Sequence, residues 1–126
     1  MTRLTIRIDF GDGAALGPGK VRLLELIGET GSIRKAAAAM TMSYRRAWLL
    51  LKALADMFGE PLATTVTGGK AGGGAHLTPL GRRVVRHYRS LEKTASKAAK
   101  RDLAAFDSIL PPRPTAGVAK SLRKPA

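Results

Sequence analysis

The sequence contains no cysteine, which excludes a disulfide scaffold, a thiolate metal site and a thiol nucleophile. Histidine is almost as scarce. His76 and His87 are the only two, and no carboxylate cluster accompanies them, so no metal site is expected. No plausible nucleophile–base pair or paired-carboxylate site stands out either, so neither an enzyme nor a bound cofactor is expected. No apolar run approaches the about 18 residues needed to cross a membrane, and the N-terminus lacks the apolar core of a signal peptide. The chain therefore reads as cytoplasmic, with no membrane partner. Acids are also few: 9 Asp and Glu stand against 22 Lys and Arg, a formal net charge of +13 in 126 residues. One domain of this size with such an excess suits a partner carrying fixed negative charge.

Leu4, Ile6, Ile8 and Phe10 alternate with polar residues, the period of a half-buried strand. Gly11-Asp12-Gly13 then breaks the chain. Pro18 opens a helix lined by Val21, Leu24 and Ile27, and Gly31 is placed to stop it. Ser32 suits the N-cap of a short helix, Ile33 to Met40, whose alanine run favours close packing. Three residues later a second helix, Tyr44 to Phe58, begins behind Ser43, so the two make a helix-turn-helix candidate. Lys35 and Arg46 stand where a capping box would place an acid. A cation there opposes the helix dipole and makes sense if phosphate sits nearby.

Leu62–Val66 and Ala75–Thr78 are β-compatible flanks of a glycine-rich hairpin tip. That tip is not a nucleotide-binding P-loop. The spacing requires glycine at Thr64 and a hydroxyl at Ala71, and both tests fail. Thr78 and Pro79 open a final helix reaching to about Leu110. Its apolar residues Val84, Tyr88, Leu91 and Ala95 alternate steps of four and three, a seam that favours a partner helix. Residues 1–110 form one domain on this reading, and 111–126 a disordered basic tail. The expected fold is mainly α with a small β component, a winged helix-turn-helix with a long C-terminal dimerisation helix.

The stretches "GSIRKAAAAMTMSYRRAW" and "TGGKAGGGAHLTPLGRR" resemble the N-terminal DNA-binding domain of ModE-type, molybdate-responsive regulators, a winged helix related to that of LysR-type regulators. The resemblance covers about residues 18 to 92. It implies a homodimer through the helix after the wing, and duplex DNA contacted by the wing and by the helix behind Ser43. The family's turn often has glycine where Thr41 stands, so a strained or differently shaped turn is expected. Molybdate-sensing members use a separate C-terminal domain. This chain ends about 35 residues after the match, so no molybdate binding is carried over and no small-molecule effector site is evident.

On a helical wheel, Ala47, Leu50, Leu51 and Leu54 share the buried side of the second helix. Trp48 falls at its edge and reads as core. Arg45, Leu49, Lys52 and Asp56 form the opposite stripe. Arg45 is the candidate base contact, by bidentate bonding to guanine. Arg46 and Lys52 suit phosphates, Ser43 suits a cap, a phosphate or both, and Tyr44 can stack or reach phosphate. Thr67 and Lys70 are the candidate wing contacts, where glycines let main-chain amides approach phosphate. Besides a sequence-specific regulator, two rivals fit the composition: an architectural, weakly specific DNA-binding protein, and a winged-helix module for an acidic protein partner.

Overall fold

The computed structural model describes residues 2–66 and 74–112. Thr67 and Lys70, with the rest of the glycine-rich stretch, and the basic tail from residue 113 lie outside the described residues. The elements in chain order are β1 (Ile8–Gly11), β2 (Ala14–Leu16), α1 (Pro18–Thr30), α2 (Ile33–Ala39), α3 (Tyr44–Phe58), β3 (Ala63–Val66), β4 (Gly74–Leu77), α4 (Pro79–Ala98) and α5 (Lys100–Ile109).

Local chemistry sets most boundaries. The hydroxyls of Ser32, Ser43 and Thr78 accept from the backbone N–H of Lys35, Arg46 and Gly81 respectively, each at 3.0 Å. Each bond satisfies a donor that a helix start leaves orphaned. Gly31 ends α1 in the left-handed region, φ 71°, where glycine carries no Cβ penalty. Thr41, in the turn between α2 and α3, also has positive φ, 52°, uncommon for a residue with a β-branch. The strain expected at this position is therefore present.

α1 is the centre of the core. Val21, Leu23, Leu24 and Ile27 are wholly buried, more of its circumference than a single amphipathic face, because α2, α4 and β4 all pack on it. Ala36 and Ala37 let α2 close on its neighbours without side chains to accommodate, and Ala47, Leu51 and Leu54 of α3 complete that side. β3 and β4 pair antiparallel, with Ala63 opposite Leu77 and Val66 opposite Gly74. The root of this wing is tied to α1, since the Ala75 amide donates to the Gly31 carbonyl.

Three expectations need correction. The Gly11-Asp12-Gly13 break is the turn of a hairpin, with Ile8 opposite Leu16 and Asp9 opposite Ala15. Residues 2–7 keep the inward–outward alternation but stand outside the ladder, running instead beside α4, where the Tyr88 hydroxyl donates to the Ile6 carbonyl. The long final helix is two helices, divided at Ala99, whose ψ opens to 4°. Finally, Val84 and Tyr88 are not free seam positions. Both are buried in this chain's own core, Tyr88 at 1 % exposure, because the N-terminal segment and α1 supply the partners that a second helix would otherwise provide. Burial pushes the Tyr88 phenol above its ordinary value, which keeps it a donor to Ile6 throughout the neutral range.

Candidate nucleic-acid interface

α3 and its N-cap carry five of the expected contact residues, four in the helix and Ser43 just before it. Ser43 is spent on the cap, with its hydroxyl oxygen accepting from Arg46 N–H. Tyr44, Arg45, Arg46 and Lys52 are all exposed, while Ala47, Leu51 and Leu54 turn inward. The inward positions Ala47, Leu51 and Leu54 come out as the spacing predicts, Leu50 is half-buried, and α2 packs against this helix.

One acid, Asp56, shares the outward stripe of α3, and the ion-paired acids of the helices sit elsewhere. Glu25 of α1 receives two bonds from the Arg89 guanidinium of α4, at 3.0 and 2.9 Å, and Arg22 and Glu92 extend the network. The Arg89 guanidinium holds the Glu25 carboxyl below its ordinary range, and Arg89 in turn is raised. Among the described residues, no ion pair engages Arg34, Arg45, Arg46 or Lys52. Ion pairing neutralises Arg22 and Arg89 where α1 meets α4, and among the described residues the cations of α2 and α3, like Arg82, Arg83 and Arg86 of α4, have no ion-pair partner. A surface built this way attracts a polyanion.

Two residues of this surface escape a wheel reading. Trp48 is 41 % exposed, so its assignment to the core is corrected: it stands at the edge of the side that Ala47, Leu51 and Leu54 bury. Its ring packs edge-on against Tyr44, centroids 6.1 Å apart. The Arg34 guanidinium of α2 lies 4.2 Å from the Tyr44 ring centroid, a cation–π contact that fixes one cation beside the start of α3. Periodicity within either helix carries no signal for this pairing, because it depends on the angle between α2 and α3.

Ile8, Phe10, Phe58, Leu80, His87 and Leu91 line an open apolar concavity of about 480 Å³ between β1, the end of α3 and α4. Of the four expected dimerisation residues, Leu91 is exposed and Ala95 partly so, whereas Val84 and Tyr88 form the concavity's floor from within the core.

Comparison with known proteins agrees with this geometry. Residues 19–82 match the family described as bacterial regulatory helix-turn-helix protein, lysR family. The molybdenum transport protein ModE of Azotobacter vinelandii is 44 % identical over 85 residues, 68 % of this chain and 32 % of that protein. The molybdenum-pterin-binding protein MopB of Rhodobacter capsulatus is 42 % identical over 98 residues, 78 % of this chain and 35 % of that protein. The DNA-binding transcriptional dual regulator ModE of Escherichia coli K12 is 35 % identical over 94 residues, 75 % of this chain and 35 % of that protein. This chain thus spans about a third of the length of these relatives. The solved CbnR_DBD–DNA complex shares the fold, with a TM-score of 0.54 at 20 % identity, covering 70 % of this chain and 95 % of that one. Among the described residues no helix is long and apolar enough to cross a membrane. With a family match that covers half its length, the chain belongs to the LysR family of bacterial regulatory helix-turn-helix proteins, and its winged helix is similar to the matching part of ModE regulators.

Proposed function

We propose that this chain is the sequence-specific DNA-binding part of a cytoplasmic transcription regulator and that it works as a homodimer. The observation that carries the reading is the surface of α3, where Arg45, Arg46 and Lys52 lie exposed and, among the described residues, without ion-pair partners. Arg45 reads a base, and Arg46 and Lys52 hold phosphates on either side. Tyr44 holds Arg34 at the edge of the groove, Ser43 caps the helix, and Thr67 and Lys70 bring the wing to the backbone. Relatives named as DNA-binding or transcriptional regulators support this. Dimerisation uses the concavity beside α4, with Leu91 and Ala95 as its remaining seam and Phe10 at its rim.

Duplex binding measured across salt concentrations tests the reading. If a dimer neutralises on the order of 6–10 phosphates, log K falls against log salt with a slope of roughly −5 to −9. A flat response refutes it. Sites selected from a random pool should be near-palindromes with half-sites about one helical turn apart, or a multiple of that. The net charge of +13 also favours a second reading, an architectural protein of weak specificity. The ratio of specific to non-specific affinity at fixed salt separates the two.

A further inference from the structure

The outward stripe of α3 is not uniformly polar. Leu49 lies in its middle, one turn after Arg45 and three residues before Lys52, and is 54 % exposed. Trp48 stands next to it, itself 41 % exposed and braced by Tyr44. The other large apolar side chains of α3, from Leu50 to Phe58, are buried or half-buried. A lone exposed leucine is ordinary. A leucine set between Arg45 and Lys52, which have no ion-pair partner among the described residues, with the exposed Trp48 at the preceding position, is a different arrangement.

Such a side chain has little choice of partner in a major groove. It can neither donate nor accept, so against guanine, adenine or cytosine it strips water from a polar edge and returns no hydrogen bond. The one apolar group that a base presents there is the C5-methyl of thymine. We propose that Leu49, with the Trp48 ring beside it, reads a thymine methyl in each half-site, making Leu49 a specificity-determining residue next to Arg45. The proposal rests on the DNA-binding reading above and adds to it the chemistry of one base position.

The test uses a duplex selected by the full chain, in which each thymine is replaced in turn by uracil. That exchange deletes the methyl and leaves the pairing intact. One thymine per half-site should prove sensitive, with affinity falling about fourfold for each methyl lost and roughly fifteenfold when both half-sites are changed. In Leu49→Ala the same exchange should have almost no further effect. A uracil scan that is flat in the parent overturns the proposal, as does an equal methyl effect in parent and Leu49→Ala. Because the parent scan alone decides the first point, the proposal stays falsifiable whether or not the variant folds. Absence of any duplex binding overturns the DNA-binding reading itself, an outcome distinct from a flat scan on a bound duplex.

Discussion

Replacing Gly81 by alanine sets two expectations of opposite sign against each other. Gly81 lies in the first turn of α4, where helix propensity alone favours alanine by up to about 1 kcal/mol. The surroundings oppose it. A Cβ at Gly81 would lie 3.0 Å from the Leu62 carbonyl carbon and nearer still to its oxygen. Ordinary carbon contacts are about 3.5–4.0 Å, so something must move by on the order of 1 Å. Neither side is free to do so. The Leu62 oxygen accepts from the Thr78 amide at 3.0 Å, the Thr78 hydroxyl donates to Pro61 O at 2.9 Å, and Leu62 itself is 1 % exposed. Losing two hydrogen bonds costs about 2 kcal/mol, and loosening the Leu62 contacts adds about 1. Allowing for the propensity gain, Gly81→Ala should destabilise the chain by about 2–3 kcal/mol, lowering Tm by roughly 10–20 °C. Gly19, in the first turn of α1, has nothing within 4 Å of the equivalent position, so Gly19→Ala should be neutral or slightly stabilising. Urea and thermal unfolding followed by circular dichroism compare the two. If Gly81→Ala matches or exceeds the parent in stability, the close approach of Leu62 to α4 is not as described.

Glu25→Gln should cost about 1 kcal/mol at neutral pH, a modest figure because Arg89 is a third exposed and solvent screens the pair. Since the Glu25 carboxyl titrates below its ordinary value of about 4.3 when folded, its contribution is complete above that value and is lost as pH falls through the folded one. A parent–variant gap equal at pH 3 and pH 7 would contradict this. Tyr88→Ala should cost about 3–5 kcal/mol in urea as a core truncation, whereas Leu91→Glu should leave monomer stability nearly unchanged and abolish dimers in sedimentation. A parent that sediments as a monomer at tens of micromolar removes the homodimer. Arg45→Ala should relax base preference at one position per half-site by about 1–3 kcal/mol. A uniform loss across sequences would make Arg45 a phosphate contact instead.

The features legible in the sequence were those decided within a few residues. Ser32, Ser43, Thr78, Pro18 and Gly31 mark helix ends because capping is a local hydrogen-bond problem, and the helices begin or end where those residues stand. β2 was not legible, since Ala14–Leu16 is three residues long and lacks β-branched side chains. The roles of Val84 and Tyr88 depend on α1 and on Ile6, far away in the chain, so a seam read along one helix could not reveal that its partner lay in the same molecule. The site divides the same way. Arg45, Arg46 and Lys52 face outward as the wheel of α3 requires, while the exposure of Trp48 and the stacking of Arg34 on Tyr44 depend on how two helices cross.

The bond from Tyr88 to Ile6 spans 82 residues of sequence and closes almost the entire fold into a ring. The helix-turn-helix needs no such closure, because α1, α2 and α3 meet as neighbours along the chain. Local units assemble quickly, and a distant closure must await its partner surface. Residues 2–7 should therefore dock late in folding and detach early in unfolding, an order that native-state hydrogen exchange checks. They have no strand ladder to hold them, so their amide hydrogens should exchange through this detachment rather than through global opening. Amides of α1, where Val21, Leu23, Leu24 and Ile27 are wholly buried, should exchange far more slowly, so that one small chain would show two tiers of cooperativity.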